Sequence, residues 1–203
     1  SGSVFSYVYL KVQVELSDNL LINNSTISAK FIDDTWNNNN ALIINNSKIK
    51  NIVNLAYPNY QKDLDLFLYN SIIDSVSYVF NNSYDGTFKA NNSHFYRIGQ
   101  LCLNETSWSD QEIVVENCTF DGLGRFYSTG SYNKEADISI TNSTFNNIGQ
   151  ESGNYDFRTF ILGEGQIEIQ NSRFNNITGS FIGRGDYYAD NFFTHENFSN
   201  IQI

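Results

Sequence analysis

Positive charge is scarce in this chain. Its 203 residues hold 12 Lys and Arg against 22 Asp and Glu, a formal net charge of −10. Nucleic-acid backbones and anionic membrane surfaces call for clustered cations, so neither is an expected partner, and a neutral or cationic ligand is easier to accommodate. No apolar run approaches the roughly 18 residues of a membrane helix, so no membrane insertion is expected from this segment. Cysteine is limited to Cys102 and Cys118, which leaves one bridge or two buried thiols open; their different positions in the repeat described below favour free thiols. The sequence has no phosphate-cradling glycine loop, nucleophile elbow or zinc-type cysteine pair, and His94 and His195 lack the spacing of a metal pair, so no cofactor and no metal are expected. No break in composition splits the chain. Residues 1–19 form the tag remnant Ser1-Gly2-Ser3 and a cap or first coil from the alternating segment Val4 to Leu16, and residues 20–203 form one domain.

What is abundant is Asn, together with aromatics at 15% and a single proline. Asn usually punctuates loops, but here it recurs at fixed places inside apolar-alternating segments. Aligned on an Asn-Ser pair, eight copies appear: Leu20 to Lys30, Leu42 to Ile52, Leu66 to Val76, Phe88 to Ile98, Ile113 to Leu123, Ile138 to Ile148, Ile167 to Ile177 and Asn191 to Ile201. Their spacing of about 22 to 29 residues is that of one solenoid turn. The first and third positions of each copy are almost wholly apolar, as in Ile138 and Ile140, and residues two apart share one face of a strand. The eighth position runs Ile27, Ile49, Ile73, Phe95, Phe120, Phe145, Phe174, Phe198. The fifth is Asn24, Asn46, Asn70, Asn92, Asn117, Asn142, Asn171, then His195. Asn tolerates the left-handed conformation at a bend, and stacked amides can bond to one another. The expected feature is an inward asparagine ladder.

A third apolar stretch follows many copies, as in Leu101-Cys102-Leu103 and Phe160-Ile161-Leu162. The spacing of two, never 3.6, excludes a helical solenoid. The predicted fold is all-β: a right-handed single-stranded parallel β-helix of about eight coils with three short strands per coil, about 4.8 Å apart.

This pattern resembles the pectate-lyase-like right-handed β-helix superfold over nearly the whole chain after Asp18. Copies such as Ile138-Ser-Ile-Thr-Asn-Ser-Thr-Phe-Asn-Asn-Ile148 also resemble repeats of large microbial surface adhesins, although the paired-glycine motif of the chlamydial polymorphic outer-membrane proteins is missing. In the lyases and polygalacturonases of the superfold, the resemblance implies a cleft over the outward face of the first strand, lined by Asp, Lys and Arg. In this chain that face, read from the second and fourth positions, has no Asp cluster with an adjacent Arg. Its acidic pair is Glu116 and Glu168, two coils and so about 10 Å apart, slightly beyond the roughly 6.5–9.5 Å of an inverting glycosidase. Acidic pairs such as Asp63 with Asp65 fall in loops, where solvation is the expectation.

The same face should carry an apolar patch of Leu21, Ile43, Phe67, Tyr69 and Val114, the signature of an interface or ligand platform unless a loop covers it. Loops add Trp36, Tyr57, Tyr60 and Trp108, rings suited to the apolar faces of sugars. The expected function is a non-catalytic adhesion or binding module, extracellular or at the cell surface, whose partner is a polysaccharide or a cell-surface glycan or protein. The alternative is a polysaccharide-active lyase or glycoside hydrolase with its site in the loops. The last copy has no polar cap after it, so membership of a longer surface protein, or cover by another chain, is expected. Sequons include Asn104, Asn117, Asn142, Asn176 and Asn197, but an inward ladder Asn would be closed to a glycan. Arg184-Gly185-Asp186 matches an integrin-read tripeptide, which three residues reach by chance.

Overall fold

The computed structural model describes residues 4–5, 20–28, 40–56, 64–82, 86–104, 111–129, 135–149, 159–184 and 193–199. The strands are β1 (Val4–Phe5), β2 (Leu20–Asn23), β3 (Thr26–Ser28), β4 (Asn40–Asn45), β5 (Lys48–Ala56) and β6 (Leu64–Tyr69). There follow β7 (Ile72–Asn82), β8 (Gly86–Asn91), β9 (His94–Asn104), β10 (Gln111–Glu116), β11 (Thr119–Thr129) and β12 (Glu135–Thr141). The last five are β13 (Thr144–Ile148), β14 (Thr159–Gln170), β15 (Arg173–Ile177), β16 (Ser180–Arg184) and β17 (Phe193–Ser199).

Every pairing among them is parallel, and each strand bonds to the equivalent strand of the next turn. On the first face β2, β4, β6, β8, β10, β12, the second half of β14 and β17 stack in that order. On the second, β1, β3, β5, β7, β9, β11, β13 and β15 do the same. The start of β14 joins β11 and β16 on a third. The protein is an all-β parallel solenoid, as its period-two patterning predicts.

Two expectations change. Instead of about eight equivalent coils, four turns are fully developed, beginning at Asn40, Leu64, Gly86 and Gln111; on either side the described second-face strands shorten, to three residues in β3 and five in β13 and β15. The second and third strands of the full turns are also continuous, in β5, β7, β9 and β11, instead of separate short pieces. The chain rounds the corner between them through one residue with positive φ: Asn51, Ser75, Arg97 or Gly122 (φ 59°, 57°, 52° and 80°). Such a residue bends the backbone without ending the strand ladder on either side of it.

The eighth copy is also out of the expected register. Ile167 pairs with Glu196 and Ile169 with Phe198, and the offset begins at an irregularity between Gly165 and Gln166. His195 pairs with Gln166, ahead of the corner, so it does not continue the asparagine column. The Asn-Ser pair that sets the register elsewhere is replaced here by His195-Glu196.

The core is the apolar interior of the rod. Leu42, Leu66, Phe88, Ile113, Ile138 and Ile167 form one buried column, and Ile49, Ile73, Phe95, Phe120, Phe145 and Phe174 another. The rings of the second column lie flat on one another, with centroids 4.3, 4.5 and 4.8 Å apart and planes within 6° from Phe95 to Phe174. Those spacings match the distance between neighbouring strands, so the backbone repeat itself sets the stacking. Each buried Phe contributes about 1.5–3 kcal/mol of apolar burial.

The seven asparagines stand at the first corner with φ between 48° and 53°, as expected, but their side chains are exposed instead of inward. Counting alternation straight through a left-handed residue gives the wrong side, because that residue turns its Cβ out of the corner and shifts the parity of all that follow. The inward polar column is the next one: Ser47, Ser71, Ser93, Cys118, Ser143 and Ser172, all buried. Each serine hydroxyl in the column accepts from the backbone N–H of its counterpart one turn earlier wherever that link is described: Ser25 to Ser47, Ser47 to Ser71, Ser71 to Ser93 and Cys118 to Ser143 at 3.1 Å, and Ser143 to Ser172 at 3.2 Å. Each donates to the carbonyl two residues back, as Ser71 does to Tyr69 at 2.6 Å. Asparagine amides form an outer ladder alongside, with Asn46 donating to Asn24, Asn92 to Asn70 at 2.8 Å, and Asn70 to Asn45 at 3.2 Å.

Candidate functional site

The outward side of the first face is built by the residues between the core columns. The corner at Asn24, Asn46 and Asn70 fixes where each strand ends, so equivalent outward side chains fall into files along the rod. One file is Leu21, Ile43, Phe67, Lys89, Val114, Ser139 and Glu168. The next is Asn23, Asn45, Tyr69, Asn91, Glu116, Thr141 and Gln170.

These files divide the face into two halves. In the first turns, Leu21 (60% exposed) leads to half-buried Ile43 and Phe67, and the Phe67 and Tyr69 rings are nearly parallel, with centroids 6.4 Å apart and planes 21° apart. The two nearly parallel rings make an apolar platform with Ile43 and Leu21. Amides border it: Asn45 donates to Asn23 at 3.2 Å, and Asn91 donates to Glu116 Oε2 at 2.7 Å. Four of the predicted site residues, Leu21, Ile43, Phe67 and Tyr69, are thus brought together. Val114 is separated from them by Lys89, whose ammonium lies 3.1 Å from Glu112; both groups are well exposed, so the pair contributes little to stability. Trp36, Tyr57, Tyr60 and Trp108 lie outside the described residues, as do Gly185 and Asp186 of the Arg184 tripeptide.

The second half is a shallow groove of about 390 Å³ lined by Glu112, Val114, Asp137, Ser139, Gln166 and Glu168, among others. Here the structure alters the expected acidic pair. Glu116 faces Asn91 and is not part of the groove, and the carboxylates that share it with Glu168 are Glu112 and Asp137. These two come from a third outward file, two residues ahead of the first, that follows from the same alternation once the strand is extended back by one pair. Glu168 itself accepts from Gln170 Nε2. Among the described residues no three His, Cys, Asp or Glu side chains converge as a metal site. Asp65, one of the loop acids by sequence, lies at the start of a strand and accepts the Thr87 N–H at 2.8 Å, a structural use.

At the second corner, Arg97 donates through Nε to Ser75 Oγ at 2.9 Å and forms an ion pair with Asp74, while Asn147 donates to Asp121 at 2.7 Å and Asn176 to Asn147 at 3.1 Å. The tenth position of the repeat carries this second ladder. Its residue types vary too much for the column to stand out in the sequence.

Both cysteines are buried and free. Burial holds the Cys102 thiol well above its ordinary range. It also raises Cys118 to about 11, against weaker lowering by hydrogen bonds with the Ser93 and Glu116 backbone. Neither is a thiolate nucleophile near neutral pH. Cys118 occupies a serine position of the inner ladder, and its S–H donates to Glu116 O at 3.2 Å.

No helix among the described residues is long and apolar enough to cross a membrane. No family model, curated protein or solved structure matches the chain.

Proposed function

We propose that the protein is a non-catalytic extracellular binding module, akin to the β-helical adhesins, that takes up a glycan on the outward side of its first face. The observation that carries this reading is the Phe67–Tyr69 platform, continued by Ile43 and exposed Leu21 and edged by asparagine amides. Flat rings receive the apolar face of a sugar, and amides at a fixed interval receive its hydroxyls. A rod that repeats at each strand spacing suits an extended polymer better than a compact solute. The test is retention on insoluble cellulose, chitin and pectin together with a glycan array, for the parent protein and for Phe67→Ala and Tyr69→Ala. Binding by the parent that both variants lose supports the platform; no retention by the parent on any surface removes the reading.

A second reading, a polysaccharide-active enzyme, draws on the groove of Glu112, Asp137 and Glu168. Release of reducing sugar that Glu168→Gln abolishes would favour it over a purely adhesive role.

A further inference from the structure

The outward turn of the first corner has a chemical consequence. An N-linked glycan needs an Asn with Ser or Thr two residues on and an amide nitrogen that faces solvent in the finished fold. Asn117-Cys118-Thr119 and Asn142-Ser143-Thr144 meet the first condition. Both asparagines sit at the corner with φ of 53° and 49° and are exposed, which meets the second.

Other triplets on the rod fare differently. In Asn45-Asn46-Ser47, Asn91-Asn92-Ser93 and Asn176-Ile177-Thr178 the acceptor nitrogen is already engaged, donating to Asn23 at 3.2 Å, to Glu116 at 2.7 Å and to Asn147 at 3.1 Å. A glycan on any of these would take one of the nitrogen's two hydrogens and crowd a bond between turns. Asn24, followed by Thr26, accepts from Asn46 through its amide oxygen, a bond that leaves its nitrogen open to the same chemistry.

We propose that Asn117 and Asn142 are N-glycan acceptors. In the transfer, the amide nitrogen attacks the anomeric carbon of a lipid-diphosphate-linked oligosaccharide. The carbon–nitrogen bond forms, the carbon–oxygen bond to the diphosphate breaks, the amide proton passes to the transferase, and the lipid diphosphate leaves. The chain is modified while extended, and the fold then tolerates the sugar at these two places because they point away from the core. Their position also matters. The two corners adjoin Glu116 and Thr141, so the glycans flank the acidic half of the first face.

The inference is independent of what the platform binds. Its test is secretion of the chain from a eukaryotic host, followed by enzymatic release of N-glycans, which converts each occupied Asn to Asp, and peptide mapping. Occupancy at Asn117 and Asn142 in the folded fraction is expected. Thr119→Ala and Thr144→Ala should each remove one glycan mass while the β-sheet circular dichroism is kept, since the corner Asn stays in place. Folded, secreted protein with both Asn117 and Asn142 unmodified would overturn the proposal.

Discussion

Replacing Ser71 by Ala and, separately, Asn70 by Gly distinguishes the inner ladder from the outer one. Ser71 is 1% exposed; its hydroxyl accepts the Ser47 N–H at 3.1 Å and donates to Tyr69 O at 2.6 Å. Alanine leaves both backbone groups buried without that partner, and an orphaned buried group costs about 1–3 kcal/mol. Taking the middle of that range for the N–H, and less for a carbonyl that keeps other bonding capacity, the loss is about 2–3 kcal/mol. For a domain of this size each kcal/mol moves the melting temperature by about 2–4 °C, so Ser71→Ala should melt about 5–10 °C lower. Glycine at position 70 keeps the left-handed corner at no steric cost and removes only exposed amide bonds, for a cost below about 1 kcal/mol. Urea unfolding followed by far-UV circular dichroism, read beside thermal melts, measures both. If Asn70→Gly proves more damaging than Ser71→Ala, the exposed asparagines hold the turns together and the assignment of the inner ladder is wrong.

Phe120→Ala, which opens a gap between rings 4.3 and 4.5 Å away, should cost about 3–5 kcal/mol in the same unfolding assay. Gly99→Ala should be destabilising despite its small size, because the added Cβ would lie 2.6 Å from Ser77 O; a melt equal to the parent's would show that neighbouring turns shift freely. The Cys118 thiol is raised in the fold from an ordinary 9.0 to about 11, so the folded state holds a proton that the unfolded chain gives up first. Its stabilising effect is full below pH 9 and is lost as pH climbs toward 11, a fall that Cys118→Ser should reduce when denaturation midpoints are measured across that range. Both thiols should also resist a thiol-specific reagent at pH 8 until denaturant is added.

Most of the architecture was legible in the residues because a solenoid writes the same packing instruction once per turn. Leu42, Leu66 and Phe88, or Phe120, Phe145 and Phe174, occupy equivalent places for one reason, the interior, and repetition raises that signal above chance. The side on which Asn70 falls was not legible, since a positive-φ corner resets the alternation and only geometry reveals it. The tenth position escaped notice because Asn51, Ser75, Arg97 and Gly122 share a backbone conformation and no side-chain chemistry. The eighth copy misled because an apolar doublet at Phe192-Phe193 matches the template without the Asn-Ser pair that pins it. At the site, Leu21, Ile43, Phe67 and Tyr69 could be assembled from spacing alone. Glu112 and Asp137 lay one step outside the aligned window, and what accompanies the rings in the loops has no periodicity to read.

Because the hydrogen bonds of each turn go to the turn before and the turn after, length is a property this molecule can change in whole units. A duplication or excision that begins and ends at equivalent corners, such as Asn70 and Asn92, returns every hydroxyl and ring to a partner of the same kind, whereas a cut of any other size strands them all. Evolution of such a chain is therefore expected to proceed by gain and loss of complete rungs, lengthening or shortening its reach while the cross-section stays the same.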